Sequence, residues 1–290
     1  MSKIAILTDS SCDIPQEMAE KYNIDIMSFH ILLDGVDYVE RESCSNEEFY
    51  AKMRAAKGVP STAAITPIQF CEKYCQYVDE GYTDVIHVPI NRSGSSTYNN
   101  AVMAQGMLRE ERPEHHLKIH LLDPHTYSMV FGWYLCEMGR KLQNGAEISH
   151  VIREFETQMD KMEIVLGPYS LKQMKKSGRI SAAAAFAGEL LGLRPIITLI
   201  DGKTKVENKV RGDDKVIPAM IDLCKKRSEG VEDFDYMIGH TSIPQAAELE
   251  KICRKTFGKA PLITFNLGGV VSANTGPDTL ALVYVGKPRN

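Results

Sequence analysis

The alternation of short apolar runs with amphipathic stretches through the first half of the chain restricts the fold more than any other feature. Lys3-Ile4-Ala5-Ile6-Leu7-Thr8-Asp9 is an apolar run ending in polar residues, the pattern of a strand buried on both faces of a parallel sheet. Pro15 opens a helix through about Tyr22, with Asp13 as its N-cap. Ile24 to Leu33 reads as a second strand, closed by the turn Asp34-Gly35. Ser45-Asn46-Glu47-Glu48 has the form of a capping box before a helix from Glu47 to Ala56, and Thr66-Pro67-Ile68 opens another through about Asp79. Strands at Asp84 to Ile90 and Lys118 to Asp123 then alternate with helices from Ser95 to about Arg109 and from about Ser128 to Gln143. This rhythm predicts a parallel sheet with helices on both faces.

After a helix from about Ile148 to Lys161 the texture changes. Glu163 to Gly167 reads as a strand, and Ser181 to Leu191 as a helix of small residues. Such a helix either packs closely between layers or borders a slot for a long ligand. Pro195 to Ile200 and Lys203 to Lys209 flank Asp201-Gly202 and predict a hairpin. Further strands are expected at Asp235 to His240, Leu262 to Asn266 and Leu280 to Val285, with helices at Lys215 to Arg227 and Pro244 to Phe257. The expected fold is α/β in two domains. An N-terminal three-layer α/β/α domain with a parallel sheet spans 1–162, and a C-terminal α+β domain spans 163–290.

Composition narrows the function. A net charge of −4 leaves no basic footprint for nucleic acid. No apolar stretch reaches membrane-spanning length, since Gly188 and Glu189 break the run from Ala182 to Leu193. The run at Met1-Ser2-Lys3-Ile4-Ala5 enters a strand without a signal-peptide core, so a cytoplasmic protein without membrane insertion is expected. The seven cysteines show no framework; Cys71 and Cys75 stand one helical turn apart. Reduced, mostly buried thiols are the favoured reading over zinc or redox chemistry, and no metal or cofactor is expected. His87 and His240 end apolar runs, as structural histidines do.

Chemistry resides instead in short hydroxyl- and glycine-rich turns that follow the apolar runs: Thr8-Asp9-Ser10-Ser11, Pro60-Ser61-Thr62, Ser93-Gly94-Ser95-Ser96-Thr97-Tyr98, Ser177-Gly178-Arg179-Ile180-Ser181 and Asn274-Thr275-Gly276-Pro277. Each supplies small side chains or free N–H groups that can surround an anionic head group without a metal. The first sits where open α/β sheets bind ligands, beyond a strand's carboxyl end, but also suits a helix cap. Ser95 falls near a helix N-terminus, where hydroxyls and the helix dipole favour an anion. Arg179 and Arg211 could pair with a carboxylate or phosphate, or stay on the surface. None of these turns brings a nucleophile together with a base.

Taken in order along nearly the whole chain, these turns resemble those of the DegV family, the fatty-acid-binding subunits of bacterial fatty acid kinase. Leu121-Leu122-Asp123 with Ser128-Met129, and Leu190-Leu191 with Arg194-Pro195, extend the match. The resemblance implies two domains with a long-chain fatty acid between them, its tail buried and its carboxylate held by hydroxyls. A partner kinase catalytic subunit then phosphorylates that carboxylate to an acyl phosphate for phospholipid synthesis. Carried over, the carboxylate site comprises Thr62, Ser95, Ser96, Asn274 and Thr275, with Arg179 and Arg211 at the lip or facing the kinase. No catalytic residue is implied. The chain departs from the family where His precedes Thr-Gly-Pro-Gly: here Asn274-Thr275-Gly276-Pro277-Asp278 stands, and asparagine cannot carry charge. The alternatives are an enzyme acting on a small carboxylic acid or phosphate ester through Asp9 or Ser95, and a carrier of a different lipid.

Overall fold

The computed structural model describes residues 3–170, 173, 174, 178 and 192–288. The small-residue stretch 182–191 and Arg179 lie outside the described residues. Four parallel strands, β1 (Ile4–Asp9), β2 (Ile24–Met27), β6 (Asp84–Val88) and β7 (Lys118–Leu121), form one sheet in the order β2-β1-β6-β7. Successive side chains of a strand point to opposite faces, and the core divides accordingly. Ala5, Leu7 and Val85 pack on the side of α3 (Pro67–Asp79) and α4 (Thr97–Glu111). Ile6, Ile86 and Val88 pack on the side of α5 (Met129–Gln143) and α6 (Ile148–Met159).

The second sheet is mixed and has the order β10-β9-β8-β13-β11-β12. Its strands are β8 (Met162–Pro168), β9 (Leu193–Ile200), β10 (Lys203–Arg211), β11 (Tyr236–His240), β12 (Thr264–Asn266) and β13 (Thr279–Val285). Ile164, Leu166, Ala281 and Val283 share a core with α5 and α6, whereas Val165, Leu280 and Leu282 pack against α7 (Val216–Arg227) and α8 (Gln245–Phe257). The result is a stack: α3 and α4, parallel sheet, α5 and α6, mixed sheet, α7 and α8.

Two features cross this layering. A small antiparallel sheet of β4 (Val36–Val39), β3 (His30–Leu33) and β5 (Ser61–Ala63) flanks α2 (Asn46–Ala55). The short helix α9 (Gly269–Thr275) leaves the second half and packs on α2, β3 and β5. Both depart from the sequence expectation. Ile24–Leu33 is not one strand: Ser28 and Phe29 separate β2 from β3, and the two halves join different sheets. Asp13 does not cap the helix opened by Pro15. Pro15 itself holds the cap position of α1 (Gln16–Lys21), and Asp13 turns inward with φ 55°. Asn274 and Thr275 sit in the last turn of α9 rather than in a loop. The capping box at Ser45, the helix opened at Thr66-Pro67 and the Asp201-Gly202 hairpin turn form as expected, and Thr66 adds a capping box with Gln69.

Glycines on α5 set the close approach of layers. A Cβ on Gly132 would lie 2.3 Å from the carbonyl oxygen of Cys12, and one on Gly139 would lie 2.7 Å from that of Tyr22. Backbone cannot yield as a flexible side chain can, so Gly132→Ala should destabilise by about 1–3 kcal/mol through overpacking. Gly106, mid-helix in α4, meets nothing within 4 Å. Gly106→Ala should therefore stabilise by about 0.5–1 kcal/mol through helix propensity. Denaturant unfolding of the two variants checks the opposite signs.

Candidate functional site

Parallel pairing places the carboxyl ends of all four strands on one edge. The connections from β1 and β6 leave in opposite directions, β1 towards β2 and β6 towards β7, so a topological switch point lies between them. Open α/β sheets bind ligands in the crevice at that point. A cavity of about 180 Å³ opens there, between the parallel sheet, the β9–β10 hairpin and α9. Its lining includes Thr62 from β5, Ser95 and Ser96 before α4, and Asn274 and Thr275 from α9. All five residues expected at the head group therefore meet in one place, although they lie in three separate chain segments.

The hydroxyls are not equivalent. Thr62 is half-buried on β5, opposite Ile31, and no hydrogen bond to the described residues engages its Oγ1. Ser95 Oγ lies 2.8 Å from Thr97 Oγ1 and accepts from the Thr97 N–H at 3.2 Å. Ser96 is the N-cap residue of α4 but its side chain makes no cap bond, so its hydroxyl stays exposed beside the positive end of the helix dipole. Thr275 donates its hydroxyl to the Val271 carbonyl at 3.1 Å, and Asn274 Nδ2 donates to the Val270 carbonyl at 2.8 Å. Those bonds orient both side chains through the helix backbone. Arg211 does not reach the cavity; it ends β10 opposite Leu193 on the exposed surface.

The remaining lining is mostly apolar: Phe29, Ile90, Leu199, Val270 and Val271. Asn91, Tyr127 and Gly202 complete it with Gly94, Ala64 and Thr204. Sequence reasoning missed Phe29, Asn91 and Tyr127. Asn91 had a usable signal, because it directly follows the strand run Asp84 to Ile90. Its Oδ1 is buried without a hydrogen-bond partner among the described residues, while Nδ2 donates to the Thr126 carbonyl at 3.3 Å. Tyr127 is the one titratable side chain among the described lining residues, and burial raises its pKa, so it stays neutral.

Behind the lining stands a layer of buried carboxylates, Asp9, Asp13 and Glu40. Asp9 accepts from the Ile90 N–H at 2.7 Å and from Ser11 Oγ at 2.5 Å. Ser10 Oγ accepts the Phe29 N–H at 3.0 Å and donates to Glu40. Glu40 also accepts the Val270 N–H at 2.9 Å, and Asp13 accepts the Gly268 N–H at 2.9 Å and the Ser128 hydroxyl. The Thr8-Asp9-Ser10-Ser11 motif thus acts one layer behind the cavity. It caps the short turn Ser10–Cys12 and fixes the backbone of Phe29 and Ile90.

A two-sheet α/β protein with a ligand cavity at the junction of its halves is the class that the fold and site define. The family model described as "Uncharacterised protein, DegV family" matches residues 3–287. The chain belongs to the DegV family. A DegV domain-containing protein of Staphylococcus aureus is 29% identical over 291 residues, covering 98% of both chains. Among solved structures, a DegV lipid-binding protein from Thermotoga maritima superposes with a TM-score of 0.83 at 25% identity, over 99% of this chain and 100% of that one. A fatty-acid-binding DegV family protein from Streptococcus agalactiae superposes with a TM-score of 0.86 at 25% identity, over the full length of both.

The buried carboxylates give the fold a pH signature. Burial raises Asp9 to about 6 and Glu40 to about 7, against hydrogen bonds that hold them down; Asp13 is raised by the same cause. A carboxyl whose folded pKa exceeds its unfolded value binds its proton more tightly in the native state. Its stabilising contribution is complete below the unfolded pKa, near 4.5 for Glu40, and is lost as pH rises towards 7. Glu40→Gln keeps an acceptor for the Val270 N–H but cannot ionise. The thermal midpoint of the wild type minus that of Glu40→Gln should therefore fall as pH rises from 4.5 to 7, measured by circular dichroism melts. A difference independent of pH would contradict this assignment.

Proposed function

We propose that the protein binds a long-chain fatty acid between its two halves, with the carboxylate at the hydroxyl end of the cavity and the acyl tail along its apolar wall. The observation that carries this reading is one cavity lined both by Thr62, Ser95, Ser96 and Asn274 and by the apolar Phe29, Ile90, Leu199, Val270 and Val271. The descriptions of the Streptococcus agalactiae and Thermotoga maritima relatives as fatty-acid-binding and lipid-binding proteins support it. A buried methylene contributes about 0.8 kcal/mol. A long tail therefore supplies most of the affinity, and neutral hydroxyls at the polar end are sufficient to orient the acid. The hydroxyls of Thr62, Ser95 and Ser96, the backbone around Gly94 and the N-terminus of α4 offer donors without a fixed positive charge.

The finer reading is that the protein is the substrate-presenting subunit of a fatty acid kinase system. Thr62 and Ser96 are reached from the cavity while the tail wall is enclosed, so the carboxylate is the end a partner enzyme can approach. In this reading the chain contributes binding and orientation, and the kinase catalytic subunit contributes phosphoryl transfer to the acyl phosphate. Such a role belongs in the cytoplasm and feeds phospholipid synthesis.

Native mass spectrometry of the purified protein should show a co-purified acyl chain. A different lipid in that spectrum would replace the fatty acid in this reading. Thr62→Ala removes a bond to a charged group, a loss of about 1.5–3 kcal/mol, and should weaken binding of a fluorescent fatty acid by about ten- to a hundredfold. Wild type should prefer the free acid to its methyl ester; equal binding of the two would place the polar end elsewhere. Supplying a fatty acid kinase catalytic subunit and ATP should yield acyl phosphate, trapped with hydroxylamine. Asparagine does not titrate, so position 274 adds no pH dependence of its own, and Asn274→His should steepen the change of affinity between about pH 6 and 8 relative to wild type.

A further inference from the structure

Cys71 and Cys75 occupy successive turns of α3, and folding adds a third donor that their spacing alone does not reveal. Glu111 closes α4, which packs along α3. The Sγ atoms of both cysteines and a carboxylate oxygen of Glu111 all lie within 4.8 Å of one another. We propose that Cys71, Cys75 and Glu111 form a binding site for a soft divalent cation of the zinc or cadmium class.

Geometry carries the assignment. Cys75 Sγ and Glu111 Oε2 stand 3.8 Å apart. A tetrahedral ion with metal–sulfur and metal–oxygen bonds of about 2.3 and 2.1 Å sets those two atoms about 3.6 Å apart. The Cys75–Glu111 edge thus closes with a shift of tenths of an ångström, and the two edges to Cys71, each within 4.8 Å, with at most about 1 Å. Both thiols are buried while Glu111 is exposed, so the fourth position of a tetrahedron faces water. A carboxylate at the last residue of a helix is opposed by the helix dipole, and a cation there reverses that penalty. Glu72 adds negative charge beside Cys71, whereas near Cys75 the negative charge of Asp79 is paired with Arg112 at 3.4 Å, and that guanidinium also acts on the thiol. Burial pushes the Cys71 thiol up to about 11 and raises Cys75, so both hold their protons until a cation displaces them. The balance is one divalent ion plus two thiols and one carboxylate, giving a dithiolate–carboxylate complex and two released protons. Thiolate donors select soft d10 ions over magnesium or calcium. Glu111 stands about 20 Å along α4 from Ser96, so the site is independent of lipid binding.

The test titrates the reduced, metal-stripped full-length protein with cadmium and follows the sulfur-to-metal charge-transfer absorbance, with zinc competing through a chromophoric chelator. One equivalent should produce the band, and apparent affinity should fall about a hundredfold per pH unit as pH drops, as release of two protons requires. Cys71→Ser and Cys75→Ser should each abolish the one-equivalent band. Glu111→Gln should retain a band that saturates only at higher cadmium. Cys44, the half-buried thiol elsewhere on the chain, serves as the control: Cys44→Ser should leave the titration unchanged. A missing band, or a band that follows Cys44 instead, overturns the proposal. Thermal melts of each variant separate loss of the site from loss of the fold.

Discussion

The cavity depends on one buried arrangement, the carboxylates that follow the first strand. Asp9, Asp13 and Glu40 are dehydrated, and each is compensated by backbone N–H groups and serine hydroxyls rather than by a salt bridge. Burying an ionisable group is costly unless its hydrogen bonds are complete. The backbone partners recruited to complete them are the N–H groups of Ile90, Gly268 and Val270, and Ser10, which donates to Glu40, holds the Phe29 N–H. Phe29, Ile90 and Val270 line the cavity, and Gly268 immediately precedes α9. Arg41 spends its guanidinium on the Ile14 carbonyl at 2.7 Å and Gln16 at 2.8 Å, so it moderates Asp13 and Glu40 without an ion-pair contact. The walls of the site are thus held by the requirement to satisfy three acids.

The same arrangement explains how a segment late in the chain comes to sit in the first half. A Cβ on Gly268 would fall 2.5 Å from Asp13 Oδ1, and one on Gly269 would fall 2.7 Å from Ile31 Cδ1. Two adjacent glycines let the start of α9 approach the acids closely enough to donate. At the other end, Arg54 of α2 donates to the Pro277 carbonyl at 2.7 Å and to Asp278 at 2.9 Å. With both ends tied to the first half, α9 presents Val270, Val271, Asn274 and Thr275 as one wall. Tyr50 adds a third tie, donating to the Leu267 carbonyl.

Much of this could be read before folding, and the limits of that reading have physical causes. The parallel sheet was visible because its central strands, β1 and β6, are buried on both faces and read as short runs rich in apolar residues. The turns that supply Thr62, Ser95, Ser96, Asn274 and Thr275 to the cavity lining were visible as hydroxyl- and glycine-rich clusters after such runs. Ile24–Leu33 misled because its apolar pattern continues through Ser28-Phe29, where Ser10 captures the Phe29 N–H and turns the chain into a different sheet. That interaction joins residues far apart in sequence, and local periodicity carries no trace of it. Asp13 misled for the same reason: its spacing suits an N-cap, but Gly268 and Ser128 take its oxygens. Helix α9 has seven residues and two leading glycines, too short for a period to show. Glu111 beside Cys71 and Cys75 is likewise a product of helix packing.

Closure of the cavity follows from backbone rather than from side-chain packing. Gly202, with φ 73°, ends the β9–β10 hairpin against the turn Asn91–Ser93. A Cβ there would lie 2.9 Å from Asn91 Oδ1 and 3.0 Å from Ser93 Cβ. The Asp-Gly turn has two jobs: its left-handed residues match the twist of the hairpin, and its missing side chain lets the second sheet touch the first half beside the polar end. Asn91 is itself set by the Thr126 carbonyl, which receives both its N–H and its side-chain amide. The hydroxyl end is therefore bounded by one hairpin tip and one strand-end turn, both drawn from regular elements of the two halves. A head group bound there would touch both halves at once, which ties the occupancy of the cavity to the way the two sheets meet.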